Sequence, residues 1–241
     1  VIILIVAGLA TILGNPKPQV SPSTNIISLE PINQYVNSCI KDTIIEGIYF
    51  ISSQGGYNEP QYSQPFKDRK VAVYLDGSQF SVPTLYAIEG ELAQYIENHL
   101  PECVDGFEGF SSSGYQIEVV APTSITRVAE NEITAFVNYP IIVTQGNARA
   151  TLDQFSTSVP FDFKEVYKII QDVMLQQGDD PLAIHYGFLA KSAYYNEYFF
   201  NIVPMDEDTL VYSLEFNSKS LNDKPYEFNF VANYDWLGDT Q

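Results

Sequence analysis

Apolar residues recur along this chain with three different spacings, and the first is no spacing at all. Val1, Ile2, Ile3, Leu4, Ile5, Val6, Leu9, Ile12 and Leu13 belong to a fourteen-residue stretch ending at Gly14 that contains no charge. A helix that is apolar all round has no face to put in water, so the stretch reads as an anchor or assembly helix. At about 1.5 Å per residue it falls short of a hydrocarbon core about 30 Å thick. Four readings are open: a secretory signal peptide, the outer end of a membrane anchor, the apolar helix of a pilin-like subunit, and a buried core helix. Position 1 is Val, so a removed leader or a missing upstream part is expected. No positive region precedes the run, and Gly14-Asn15-Pro16-Lys17 is a poor cleavage site, which counts against the signal peptide. Pro16, Pro18 and Pro22 then prevent helix continuation and make residues 15–30 a semi-rigid spacer.

Helical spacing begins after the spacer. Ile32, Val36, Cys39, Ile40, Ile44, Ile48 and Ile51 form one stripe of a helix over 31–53, with Pro31 in its first turn and Gly55-Gly56 ending it. Leu85, Ile88, Leu92, Ile96 and Leu100 form the stripe of a second helix, capped by Ser81 and stopped by Pro101. Asp162-Phe-Lys-Glu165 is a capping box that opens a third helix, closed by Gly178. A fourth, shorter helix starts at Asp180-Pro181 and runs to about Ser192.

Strand-like spacing fills the rest. Val71–Leu75 is a short strand before an Asp76-Gly77 turn, and 104–113 is a Gly/Ser-rich loop. Tyr115–Ala121, Ile133–Thr144 and Ala148–Pro160 form an antiparallel meander, with turns at Asn131-Glu132 and Gln145-Gly146-Asn147. Tyr198–Val203, Leu210–Phe216 and Tyr226–Tyr234 are the last strands, the first two joined by a loop at Met205–Thr209. Helices and strands come in groups without regular alternation. The fold class is therefore α+β: an N-terminal apolar helix, then a head over 31–241 with antiparallel sheet and about four helices. Subdomains over 31–110 and 111–241 are one way to divide that head.

Composition narrows the function. A net charge of −18 argues against nucleic-acid binding, which needs clustered Lys and Arg. Few charged residues and many Tyr and Phe suit an exposed extracytoplasmic protein. In that setting Cys39 and Cys103 are expected to form a disulfide; two separate buried thiols are the alternative. Two Cys and two His without short ligand spacing give no zinc site.

Candidate chemistry is sparse. His185 near Asp179 and Asp180 lacks any nucleophile elbow, and Asp180 serves better as a helix cap. His99 suits the dipole at the end of its helix. Asp206-Glu207-Asp208 is too compact for a calcium loop and reads as a solvated turn. No phosphate loop, dinucleotide fingerprint or HExxH occurs. No catalytic residue, cofactor or metal is assigned. Tyr194, Tyr195, Tyr198, Phe199 and Phe200 form the densest aromatic cluster, read either as core or as a subunit contact; alternation puts Tyr198 and Phe200 on one face and Phe199 on the other.

Two segments carry a resemblance. Val36-Asn-Ser-Cys39 through Gln54-Gly-Gly-Tyr57, and Ile96-Glu-Asn-His-Leu-Pro-Glu-Cys103, together with the apolar start, resemble uncharacterised N-terminally anchored surface proteins of small-genome archaea. More loosely, an apolar helix bearing a β-rich head is similar to archaeal type IV pilin-like subunits, although Pro16 and Pro18 break the helix early. The likeness covers the first half of the chain and implies no activity. The expectation is a non-enzymatic subunit of an extracellular filament. It would be joined to copies of itself through Val1–Leu13 and associated with the membrane before assembly. The alternative is a membrane-tethered binding or sensor domain.

Overall fold

The computed structural model describes residues 27–180, 182–222 and 224–236. The apolar run over Val1–Leu13 and most of the Pro-rich spacer lie outside those residues.

α1 (Glu30–Ser53) has Pro31 in its first turn, where the missing N–H is lost at no cost, and Glu30 at its positive end. Ile32, Val36, Ile40, Ile44 and Ile48 are fully buried along the expected stripe. The helix packs on α2 (Leu85–Val104), on β7 (Ala148–Pro160) and on β10 (Lys224–Asn233). It therefore lies between two sheets and joins their cores.

The first sheet is built from β1 (Ser63–Phe66), β2 (Arg69–Asp76), β3 (Gln79–Phe80), β8 (Phe199–Pro204), β9 (Thr209–Leu221) and β10. Its order is β1-β2-β10-β9-β8, with β3 paired to β2. β2 and β10 run parallel, so the expected antiparallel sheet is mixed. Two strands so far apart in sequence need no tight hairpin, and either direction is open to them. Their paired residues begin only at Val73 and Val231. The C-terminus of α1 meets the earlier part of β2, where the Ala72 N–H donates to the Gln54 carbonyl at 3.2 Å. Gly55, at φ +76°, makes this approach possible: a Cβ there would lie 2.9 Å from that of Ala72. Tyr74, Tyr212, Tyr226, Phe228 and Phe230 of this sheet are all buried.

The second sheet is a long hairpin of β6 (Glu132–Gln145) and β7. β4 (Gln116–Val119) and β5 (Thr123–Val128) pair end to end along the other side of β6. The break at 120–122 lies opposite Tyr139-Pro140, where the β6–β7 register slips. Pro140 has no N–H to give the ladder, and the bulge absorbs it. β5 was not expected as a strand of its own; Pro122 before it and an outward Ile125 hide its alternation.

Other expectations are corrected at element ends. α2 is capped by Thr84, whose Oγ1 accepts the Ala87 N–H at 3.1 Å, not by Ser81. It runs through Pro101 to Val104. Proline removes one hydrogen bond, but burial of Leu100 and Val104 and a bond from the Tyr35 hydroxyl to the Cys103 carbonyl hold this last turn. The expected loop after it folds into a 3₁₀ turn (Asp105–Phe107) and a one-turn α3 (Glu108–Ser111), pinned by buried Phe107.

α4 (Phe163–Asp179) begins as read, with the Glu165 N–H donating to Asp162 Oδ1 at 3.0 Å. α5 spans Tyr186–Tyr195, several residues later than expected. No helix among the described residues is long and apolar enough to cross a membrane.

Cys39 of α1 and Cys103 in the last turn of α2 form a disulfide, with Cα atoms 5.6 Å apart. It crosses 64 residues of sequence. A loop of that length stabilises the fold by about 4 kcal/mol in the chain-entropy account.

Candidate functional site

Two surface features stand out, one at the β8 edge of the first sheet and one where β2 and β10 diverge. One is the aromatic face of α5 and β8. α5 buries only Leu189. Tyr194 is 80% exposed and Tyr195 71%, their rings meeting edge to face at 5.4 Å. Tyr186 and Leu182 are also exposed. After a turn through Asn196 and Glu197 the chain enters β8. Tyr198 is 3% exposed and Phe199 65%. Phe200 packs against the core. The alternation read from the sequence holds for Tyr198, Phe199 and Phe200, but the five do not form one contact surface: Tyr198 and Phe200 face inward, and Phe199 and the helical Tyr194 and Tyr195 face solvent.

β8 pairs with β9 alone among the described residues, so one row of its backbone donors and acceptors is open. Charge is sparse here. From Leu182 to Pro204 the only charged residue types are Lys191 and Glu197, His185 apart, in a chain of net charge −18; exposed Glu215 of β9 lies opposite Phe199. Large exposed apolar groups beside an open strand edge make a surface suited to burial by another chain.

The other feature is a groove between α1 and the diverging starts of β2 and β10. Glu46, Tyr49, Phe50 and Ser53 form one stripe of α1 along it. The β1–β2 turn brings Lys67, Asp68 and Arg69, and β10 brings Lys224, Glu227 and Asn229. The volume is about 550 Å³. The Arg69 guanidinium lies over the Phe50 ring at 4.7 Å. Tyr49 fixes one wall: its hydroxyl donates to the Lys224 carbonyl at 2.6 Å and accepts the Leu221 N–H at 3.2 Å.

Glu227 accepts from the Ser213 hydroxyl at 2.8 Å and faces Lys67 at 3.5 Å. Partial burial pushes its pKa up, but the bonds from Ser213 and Asn229 and the Lys67 charge outweigh it and hold the carboxyl below its ordinary value. Asn229 is 4% exposed, and its Oδ1 has no hydrogen-bond partner among the described residues. An unpartnered buried acceptor costs on the order of 1–3 kcal/mol. Sequence reasoning missed this groove. Its one local signal is Lys67-Asp68-Arg69-Lys70, which holds three of the chain's twelve cations.

The remaining sequence candidates are placed elsewhere. His185 precedes α5, with Nε2 3.3 Å from the Asp180 backbone carbonyl oxygen rather than its carboxylate. Asp206 Oδ1 accepts the N–H groups of Asp208 and Thr209, which closes the β8–β9 turn. These bonds hold its carboxyl below the ordinary pKa. His99 stacks on Tyr95 at 4.0 Å. No group of three or more His, Cys, Asp or Glu among the described residues is arranged to hold a metal ion.

Fold and surface together define a disulfide-linked α+β head, two sheets around one central helix, with an open aromatic edge. No protein-family model, curated protein or solved structure matches the chain.

Proposed function

We propose that the chain is a non-enzymatic structural subunit of an extracellular filament or pilus-like appendage. The single observation that carries this reading is the solvent-facing group of Tyr194, Tyr195 and Phe199 beside the open edge of β8. A second copy of the chain is the occupant that fits. An acidic molecule self-associates most readily where its acid is sparse, and residues 182–204 hold one Lys and one Glu, with Glu215 of β9 the further acid beside Phe199. Burying each of these rings is worth on the order of 1.5–3 kcal/mol. The uncharged run Val1–Leu13 supplies a second contact between copies, or a membrane hold before assembly. A disulfide across the head suits an oxidising, extracytoplasmic location. The partners are copies of itself and, during biogenesis, the membrane; nucleic acid is not among them.

The test uses the full chain, purified from native surface material and viewed by negative-stain microscopy, beside the Tyr195→Lys/Phe199→Lys variant. Both positions are exposed, so the variant keeps its thermal stability to within about 0.5 kcal/mol. The parent chain forms regular filaments, and the variant stays monomeric at the same concentration. A parent chain that stays monomeric in the detergent-extracted membrane fraction contradicts the proposal and favours the membrane-tethered binding domain instead.

A further inference from the structure

A surface that adds copies to a filament must meet an unlike surface. If the aromatic face of α5 and β8 met the same face of a second copy, the contact would be two-fold and would close as a dimer. Growth through that face needs a different, receiving surface on the next copy.

The outer face of the second sheet carries apolar groups of the right kind. The register of β5 with β6 sets exposed Ile125 directly beside exposed Phe136. Around them Thr123, Asn138, Gln154 and Ser156 are all uncharged, and the group encloses a hollow of about 580 Å³. A second hollow, of about 320 Å³, opens on the other side of Ile125, between β5 and α2, with exposed Tyr86 in its wall. The edge of β5 itself is closed to strand addition. The Ser124 N–H donates to Glu97 Oε1 at 2.6 Å and the Val128 N–H to Glu89 Oε1 at 2.8 Å, so α2 occupies two donors of that edge. A partner arriving at β5 therefore meets side chains on the sheet face.

We infer that this face receives the aromatic α5/β8 face of the next copy, an assignment that rests on the filament reading and names the other half of its contact. What selects a second copy is charge placed to match. Phe199 has an exposed carboxylate, Glu215, directly across the β8–β9 ladder. Ile125 has a half-exposed cation, Arg127, two residues along the same face of β5. Directly opposed strand residues lie about 5 Å apart and i, i+2 residues about 7 Å, so an aromatic ring with its acid can lie over an apolar group with its base. Arg127 bonds Glu89 Oε2 at 3.3 Å and the Thr126 carbonyl at 2.9 Å, both through Nη1. Its Nε and Nη2 have no partner among the described residues, and that side of the guanidinium can hold a carboxylate by a two-bond fork. The smaller apolar hollow walled by Phe80 and Leu175 has no charged residue in its lining and offers no such match.

The test mixes two variants of the full chain in sedimentation velocity, at the concentration where the parent assembles. Tyr195→Lys/Phe199→Lys loses the aromatic face and keeps the receiving one; Ile125→Lys/Phe136→Lys does the reverse. All four positions are exposed, and thermal melts matching the parent's are the check of fold. Should the second chain melt early, Ile125→Thr/Phe136→Thr, which keeps strand propensity, takes its place. Each variant alone is expected to be monomeric, and the equimolar mixture to form a species of twice the mass. In that heterodimer Arg127→Gln on the receiving chain weakens association several-fold, and Glu215→Gln on the other chain then adds no further loss. Three results overturn the inference: the chain lacking the receiving face dimerises alone, which marks a two-fold aromatic contact; no heterodimer forms although the parent makes filaments; or the losses at Arg127 and Glu215 simply add. A parent that makes no filament contradicts the proposed function itself, and the receiving face falls with it.

Discussion

At the scale of single residues, hydrogen bonds to two carboxyls, Asp206 and Glu227, hold them below their ordinary pKa and make stability depend on pH. Glu227 is the clearest case. Its folded pKa lies below the unfolded value, so its contribution is fully present above the unfolded carboxylate pKa of about 4.3 and is lost as pH falls through the folded value. Glu227→Gln should therefore flatten the acid side of the stability curve, measured by urea unfolding from about pH 6 down to about pH 3. Parallel curves for variant and parent would contradict the role given to Ser213 and Lys67.

At the scale of elements, close packing of α1 on α2 organises the head. Gly47 permits it: a Cβ there would lie 2.7 Å from both Leu92 Cδ1 and Tyr95 Cδ1. Gly47→Val should cost about 1–3 kcal/mol through forced separation of the helices. Gly90 of α2 has no neighbour within 4 Å of such a Cβ. Gly90→Ala should stabilise by about 0.4–1 kcal/mol through the unfolded chain. Equal effects at the two sites in urea titrations would show that interhelical distance is not what Gly47 controls.

Much of this scale was legible in the sequence. The stripe on α1, the capping box of α4 and the β6–β7 hairpin are local patterns, and each lies within a residue or two of where it was read. What escaped depends on contacts between distant segments. The parallel pairing of β2 with β10 has no local signature. Pro101 marks a helix stop, but the disulfide and burial around it carry the helix on to Val104. The groove assembles α1, the β1–β2 turn and β10, so no window of sequence contains it. The aromatic cluster was visible as a cluster. Strand alternation separated Tyr198 and Phe200 from Phe199, but which set faces outward was not legible: packing against the core of the first sheet turns Tyr198 and Phe200 inward.

For the whole molecule, the first sheet has two unlike edges. The β8 edge is aromatic, with Glu215 of β9 beside Phe199, whereas the groove where β2 and β10 diverge carries balanced charges. A subunit joined to its neighbours through the first edge would keep the second available at the surface of the assembly. The most direct measurement is hydrogen–deuterium exchange on assembled and dissociated protein. The account predicts that assembly slows exchange most strongly at β8 (Phe199–Pro204) and α5 (Tyr186–Tyr195), with the groove residues Lys67–Lys70 unchanged. Protection absent from β8 and α5 in a protein shown to be assembled would contradict it.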